Sequence, residues 1–290
     1  MILKAAGIVL CLGVCYIVWQ YLELKRFGVT EYPITSSKIR KEHCFVVLAD
    51  LHGFSYGKEN ERLMNRIREL KPQLILIAGD MIVSKQKDSY ISALVTLKHL
   101  VEIAPVYYAM GNHESRVNQK EMLAYEDFAA YYRRVKGLGV HFLQNETVTL
   151  SLDGDEICIS GLELDMDYYE KGYIVPLKED SLTQYLGEAS EQFQILLAHN
   201  PAYSEEYAAW GADLTFCGHN HGGLIRLPGI GSLLSPQLTW FPKYNDGCHD
   251  LRGNKVVISR GLGTHTFHIR IFNRAELVAV RVLPDHNKKG

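Results

Sequence analysis

The residues His219 and His221 lie two positions apart in the glycine-rich stretch CGHNHGG, residues 217–223. Imidazole nitrogens bind divalent transition metals, so two rings this close could face one metal centre. The same stretch could also be an ordinary polar turn, because glycine favours turns over regular helices and strands. A metal centre needs further ligands, and their presence elsewhere in the chain decides between the two interpretations.

Polar residues with metal-binding side chains end five apolar runs of strand length, which are CFVVLAD, QLILIAGD, APVYYAMGNHE, QILLAHN and DLTFCGHNH. The candidates at or just after their ends are Asp50, His52, Asp80, Asn112, His113, His199, His219 and His221. Each motif alone also fits a polar turn or a helix cap. Their joint occurrence favours two divalent ions such as Mn, Fe, Zn or Co, since a structural zinc would favour thiolates.

Helix-like stretches separate the early runs and predict an α/β fold. The stretches ENERLMNRIRELK and DSYISALVTLKHLVE place apolar residues on one face of each helix: Leu63, Ile67 and Leu70 in the first, and Ile91, Leu94 and Leu97 in the second. Strands alternating with helices indicate a largely buried sheet with helices outside. Asp153-Gly154 predicts a hairpin in the middle of the chain. Because polar residues at the carboxyl ends of strands meet in one crevice, we expect the candidate ligands to converge.

The ordered motifs DLH, GD, GNHE, LAHN and GHNH resemble those of the calcineurin-like metallophosphoesterases. The segments SGLEL, GHNHGGLIRLP, FPKY, SRGLG and IFNRAEL resemble the membrane-anchored bacterial branch of that family, so the resemblance covers nearly the whole domain. It implies a two-sheet α/β sandwich with flanking helices. It also implies hydrolysis of phosphomonoester, phosphodiester or pyrophosphate bonds by a metal-bound hydroxide.

The resemblance also implies a role for each motif residue. It assigns Asp50, His52 and His221 to the first ion, Asn112, His199 and His219 to the second, and Asp80 as a bridge between them. His113 would act in catalysis beside the leaving-group oxygen or a phosphoryl oxygen. Many relatives carry an aspartate that orients this histidine at the position that Val83 occupies here. The orientation of His113 would then depend on Glu114 or on another group.

The N-terminal stretch AAGIVLCLGVCYIVWQYL, residues 5–22, has no charged residue. As a helix it would span roughly 27 Å, close to a bilayer core of about 30 Å. The alternatives are a signal peptide or a buried soluble helix, but the bulky sequence WQYLELKRF offers no small-residue cleavage site. We therefore expect residues 1–26 to form a membrane anchor and residues 27–290 to form one catalytic domain.

Basic residues around this stretch predict its orientation in a single-pass protein of the cell membrane. Only Lys4 precedes the span, whereas Lys25, Arg26, Lys38, Arg40 and Lys41 follow it. The positive-inside rule then favours a cytoplasmic catalytic domain. The extracytoplasmic orientation stays open, because a short anchor of this kind can also export the domain behind it.

The charge balance excludes one class of partner and leaves the substrate open. The net charge of −2 argues against a nucleic-acid-binding protein. A phosphoester near a membrane is favoured, for instance a lipid-linked UDP-diacylglucosamine-type pyrophosphate. The segment LTWFPKY could form an apolar lip for an acyl chain or pack under a loop, and Arg116, Arg260 and Arg270 could contact phosphate or have structural roles. The rival hypothesis is a membrane-tethered scaffold protein without turnover, against which the complete ligand set argues.

Overall fold

The structure is a computed structural model that describes residues 2–119, 122, 124–178, 180–223, 225–227, 231–264 and 269–285. Two positions of the GHNHGGLIRLP motif, Leu224 and Pro228, lie outside the described residues. So do Met1 of the predicted anchor and residues 286–290 of the predicted catalytic domain.

The described chain contains α-helices, short 3-10 helices and β-strands. The α-helices are α1 (Ile2–Leu24), α2 (Glu61–Leu70), α3 (Lys87–Val101), α4 (Asn112–Val117), α5 (Tyr125–Gly137), α6 (Ser181–Leu186) and α7 (Ser204–Trp210). Short 3-10 helices cover Lys58–Asn60, Met166–Tyr169 and Pro201–Tyr203. The strands are β1 (Phe27–Ser36), β2 (His43–Leu48), β3 (Leu74–Ala78), β4 (Val106–Ala109), β5 (His141–Leu143), β6 (Glu146–Leu152), β7 (Asp155–Leu162), β8 (Phe193–Ala198), β9 (Leu214–Cys217), β10 (Ile225–Leu227), β11 (Gly231–Leu234), β12 (Gly247–Leu251), β13 (Asn254–Ile258) and β14 (Ala275–Pro284).

Two six-stranded mixed sheets form the centre of the part of the chain that the structure describes. The first has the order β1-β14-β2-β3-β4-β5, and β2 to β5 run parallel. The second has the order β12-β13-β9-β8-β7-β6, and β7, β8, β9 and β13 run parallel. Every residue of β2, β3 and β8 is buried, because both faces of these strands are covered, which explains their continuous apolar sequences.

The two sheets pack face to face and carry helices on their outer faces. Phe45 and Val47 of the first sheet share one buried cluster with Leu197 and Phe216 of the second. A second cluster holds α2, α3 and α5 against the first sheet, and a third holds α6 and α7 against the second sheet. The predicted two-sheet α/β sandwich with flanking helices is thereby confirmed.

Helix α1 differs from the other helices because its apolar side chains face outward. Within the described chain, one helix is long and apolar enough to cross a membrane, and its window Gly7–Leu24 has a mean hydropathy of 1.7 with 11% of the window buried. The apolar side chains of a core helix in a soluble protein would be mostly buried. A signal sequence near the N-terminus meets the same criteria of length and composition.

Candidate metal centre

The structure brings all eight predicted site residues together at one end of the two sheets. Residues of the first sheet supply Asp50 and His52 after β2, Asp80 after β3, and Asn112 and His113 after β4. The second sheet supplies His199 directly after β8 and His219 and His221 after β9. Carboxylate and amide oxygens therefore face imidazole nitrogens across the junction of the sheets. The metal-binding roles of these residues stay a prediction.

The backbone at the centre is strained where the chain turns out of the strands. Five of the candidates have a positive φ between 50° and 67°, namely Asp50, His52, Asp80, His219 and His221. Such angles are uncommon outside glycine and cost on the order of 1–3 kcal/mol each. Conformations of this cost persist where surrounding contacts hold them, and they cluster at functional sites.

The candidates for the first ion converge on the carboxylate of Asp50. The Nε2 atoms of His221 and His52 lie 3.6 Å and 3.9 Å from Oδ1 of Asp50. The same two Nε2 atoms lie 3.1 Å apart, with the rings stacked at an interplanar angle of 19°. Ligand atoms of these three residues all lie within 4.8 Å of one another, which is the separation expected of groups that share one ion.

Asp80 lies between this group and the second group of candidates. Its Oδ2 is 3.8 Å from Nε2 of His52 and 3.2 Å from Nε2 of His199. In the second group, Nδ1 of His219 lies 2.8 Å from Oδ1 of Asn112, and the rings of His219 and His199 have centroids 5.3 Å apart. The donor set of carboxylate, amide and imidazole groups fits two neighbouring divalent cations.

Backbone carbonyls orient two of the histidines. Nδ1 of His199 lies 2.6 Å from the carbonyl oxygen of Ala78, and Nδ1 of His52 lies 3.2 Å from that of Ile82. A carbonyl oxygen only accepts, so each Nδ1 carries the ring proton and donates it. In the neutral ring, Nε2 is then the nitrogen with a lone pair, as a histidine that binds metal requires.

Two glycines leave room for the carboxylates. A Cβ on Gly218 would lie 2.6 Å from Oδ2 of Asp50, and a Cβ on Gly111 would collide with Oδ1 of Asp80. Any side chain at either position would displace an oxygen that faces the centre. The glycines beside the GHNH and GNHE motifs are therefore explained by this close approach of backbone to carboxylate.

The charges in the buried centre shift the pKa values of its acids in opposite directions. Burial raises the pKa of Asp50 to about 7. Burial also acts upward on Asp80, but the charges of His199 and His113 hold the pKa of this carboxyl well below its usual value. Burial acts downward on His199, but the negative charge of Asp80 raises the pKa of this imidazole to about 10. Without an ion, a proton on His199 would therefore offset the charge of Asp80, while burial favours the protonated form of Asp50.

Ser84 orients His113 where an aspartate was expected from the resemblance. The backbone N–H of Ser84 donates to Nδ1 of His113 over 3.0 Å, and Oγ of Ser84 lies 3.1 Å from the same atom. Val83 is buried, and its N–H donates to Oγ of Ser89. Because Nδ1 accepts a hydrogen bond, neutral His113 carries its proton on Nε2. Sequence patterns missed this role, since the donor is a backbone N–H.

Glu114 anchors the turn that carries Asp80 and does not take the place of the missing aspartate. Its carboxylate accepts hydrogen bonds from the backbone N–H groups of Asp80, Met81, Ile82 and Gly111, and from the hydroxyl of Tyr108. It is fully buried, and burial raises its pKa to about 7. This anchoring role was also missed, although the glutamate follows the GNH motif directly.

Two of the three arginines considered as phosphate contacts have structural partners. Arg270 is buried, and its guanidinium donates to the carbonyl oxygens of Arg260, Gly261 and Gly263. Arg260 forms an ion pair with Glu276 over 3.0 Å. The structural role is therefore supported for both residues.

The sequence comparisons agree with the fold and with this collection of residues. Residues 45–223, more than half of the chain, match the model of the calcineurin-like phosphoesterase family. The protein belongs to this family and is a metal-dependent phosphoester hydrolase.

Relatives in the family share low identity over most of the chain. The metallophosphoesterase YkuE of Bacillus subtilis is 28% identical over 89% of this chain and 86% of its own length. The phosphodiesterase YaeI of Escherichia coli is 26% identical over 74% of this chain and 72% of its own length. A transmembrane protein with a metallophosphoesterase domain from Danio rerio is 25% identical over 81% of this chain, which spans about half of that protein.

Proposed function

We propose that the protein is a membrane-anchored phosphoesterase with a binuclear metal centre, held by Asp50, His52, Asp80, Asn112, His199, His219 and His221. The convergence of the Asp50, Asp80 and histidine ligand atoms within a few ångströms is the observation that carries this proposal. The divalent ions, when bound, supply Lewis acidity that activates water and neutralises charge on the phosphoryl group. Mn, Fe, Zn and Co all suit this mixed oxygen and nitrogen donor set.

Asp80, His113 and Glu114 would each have a separate role in the reaction. Asp80 lies between the two groups of ligands and, as a bridge, would fix the spacing of the ions. His113 holds its proton on Nε2, because Ser84 donates to Nδ1. It would donate this proton in a hydrogen bond to the leaving-group oxygen or to a phosphoryl oxygen. The Glu114 carboxylate keeps the Asp80 turn in place while the charges change.

The proposed substrate is a lipid-linked phosphoester, of which a UDP-diacylglucosamine-type pyrophosphate is one candidate. The apolar helix α1 supports a position at a membrane, and so does the name of the Danio rerio relative. Trp240 and Phe241 are mostly exposed, as an apolar lip for an acyl chain requires, whereas Tyr244 of the same segment is buried. No nucleic acid is expected as partner, given the net charge of −2.

The proposed division of the chain is an anchor over residues 1–26 and a catalytic domain over residues 27–290. Helix α1 ends at Leu24 and β1 begins at Phe27, which supports a boundary between them. The exposed Lys25 and Arg26 directly after the helix favour a single-pass protein of the cell membrane with a cytoplasmic domain.

We expect the substitution Asp80→Asn to abolish hydrolysis while the protein stays folded. The amide has nearly the same shape as the carboxylate, but it lacks the charge that two cations share. The assay is hydrolysis of phosphomonoesters, phosphodiesters and lipid pyrophosphates with Mn present and after chelation. The matched control is Asp153→Asn, at an exposed hairpin position, which should keep full activity. Turnover by Asp80→Asn, or metal binding without turnover by the unsubstituted chain, would contradict the proposal; the second result would favour the scaffold hypothesis.

A further inference from the structure

The C-terminal end of α1 contacts residues 269–274, which we call the docking loop. The side chain of Gln20 pairs with the backbone of Arg270: its Oε1 accepts from the N–H over 3.0 Å, and its Nε2 donates to the carbonyl over 3.3 Å. One turn later, Glu23 accepts from Nε of Arg274 over 3.0 Å. Gln20 and Glu23 are buried, whereas the other side chains of the helix between residues 7 and 22 are exposed. The helix therefore meets the domain through specific polar contacts.

The docking loop also touches the candidate metal centre. The side chain of Asn273 donates through Nδ2 to the carbonyl oxygen of His221 over 2.6 Å. Arg270 ties the loop to Gly261 and Gly263, whose backbone lies against Asp50. The end of the apolar helix and the candidate ligand His221 are thus joined through one short and well hydrogen-bonded loop.

The outer side of the docking loop is apolar and exposed. Ile269, Ile271 and Phe272 are 49%, 38% and 60% exposed, and the ring of Phe272 contacts Trp19 of α1 with centroids 6.4 Å apart. This exposed surface is continuous with the exposed apolar side of α1. Large side chains grouped in this way on a protein surface mark an interaction site.

Basic residues surround the apolar group. Lys25 and Arg26 follow α1 directly, Arg274 closes the docking loop, and all three are exposed. Apolar side chains beside a cluster of Lys and Arg are typical of surfaces that lie in the headgroup region of a bilayer with anionic lipids. Trp19 and Tyr21, at the end of the apolar helix, are residue types that prefer the same depth.

We propose that the docking loop lies in the headgroup region of an anionic lipid bilayer, with Ile269, Ile271 and Phe272 inserted, and that it holds the catalytic centre against the membrane surface. The centre then acts on phosphoesters in lipid headgroups, a part of the inference that rests on the proposed function. Continuity with α1 and the surrounding positive charge favour a bilayer over a second copy of the chain as the occupant of this surface.

Depth-dependent fluorescence quenching tests the membrane contact without any use of enzymatic activity. The full chain carrying Phe272→Trp is reconstituted into vesicles of phosphatidylcholine and phosphatidylglycerol, with and without bromine on the upper acyl carbons. The control is Ile91→Trp, because Ile91 is an equally exposed isoleucine on α3, 64% accessible. We expect brominated lipid to quench the added fluorescence of Phe272→Trp and to leave that of Ile91→Trp unchanged. Equal quenching of the two variants would overturn the proposal.

Hydrolysis with two substrates tests the consequence for the reaction. Phe272→Asp should lower hydrolysis of vesicle phosphatidylglycerol by about tenfold or more, because it removes the insertion of one aromatic side chain. Hydrolysis of soluble bis(4-nitrophenyl) phosphate should not change, and Ile91→Asp should affect neither substrate. An equal loss on both substrates would overturn the proposal. Conversion of a dimer to a monomer by Phe272→Asp, together with no quenching of Phe272→Trp by brominated lipid, would also overturn it.

The two experiments separate this inference from the proposed function. If the unsubstituted chain hydrolyses neither substrate, the proposed function is contradicted, whereas quenching still reports on the docking loop. If it hydrolyses the soluble diester and neither phosphatidylglycerol nor a lipid pyrophosphate in the vesicles, the assignment of lipid headgroups is contradicted.

Discussion

At the scale of single residues, the orientation of His113 depends on Ser84, a residue outside the GNHE motif. Ser84 contacts Nδ1 of His113 through its backbone N–H and its hydroxyl. An aspartate at position 83 would accept a hydrogen bond from this atom, whereas the backbone N–H of Ser84 donates one to it. The ring nitrogen that carries the proton in neutral His113 is therefore decided by a backbone group.

We expect His113→Ala to lower kcat by about 10²–10⁴-fold, the usual contribution of a positioned proton donor. Metal content, measured by elemental analysis, should stay the same, because His113 is placed outside the proposed ligand set. Ser84→Ala is the matched control. It keeps the backbone N–H and should retain most of the activity. Loss of bound metal in His113→Ala would mean that the residue is a ligand and not a proton donor.

At the scale of elements, helical periodicity identified the buried face of α2 but not that of α3. Leu63, Ile67 and Leu70 of α2 are all buried. In α3 Leu97 is buried, whereas Ile91 is 64% exposed. The buried face of α3 includes Tyr90, whose ring packs edge-on against Tyr131 of α5. Helix α3 is apolar on more than one side, so its packing against the first sheet and α5 decided which side is buried.

We expect Leu97→Ala to lower the free energy of unfolding by about 2–5 kcal/mol, because it leaves a cavity under α3. Ile91→Ala removes an apolar side chain of the same size from the same helix, but its effect should stay within about 0.5 kcal/mol. Urea denaturation of the detergent-solubilised chain measures both values. Similar losses for the two variants would show that Ile91 is buried in solution.

At the scale of the whole molecule, the candidate ligands come from both sheets. Asp50, Asp80 and Asn112 follow strands of the first sheet, and His199 and His219 follow strands of the second. Bound ions would therefore link the sheets at one end of the sandwich. Elsewhere the apolar cluster between the sheets holds the two sheets together. Metal binding and folding should then be linked, since the unfolded chain has no assembled site.

Removal of the ions should lower the melting temperature. A ligand present at a hundredfold excess over its dissociation constant stabilises the folded state by about 2.7 kcal/mol, and a chelator removes this contribution. Differential scanning calorimetry with Mn and after chelation measures the change. The Asp80→Asn variant serves as control and should show a smaller change. Equal melting temperatures for the unsubstituted chain under both conditions would show that the ions do not link the sheets.

The sequence alone determined the class of fold and the identities of the candidate ligands. Apolar runs that end in Asp, Asn or His are local patterns, and strands buried on both faces keep such patterns in any context. The Asp153-Gly154 pair likewise predicted the β6–β7 hairpin, because both residues adopt the positive φ that its turn requires. Three contacts became known only from the tertiary structure. They are the contact of His219 with Asn112, the hydrogen bonds of Glu114 to the Asp80 turn, and the contact of α1 with residues 269–274. These contacts join residues far apart in the chain, and their partners include backbone groups that every residue carries, so no local pattern of side chains could specify them.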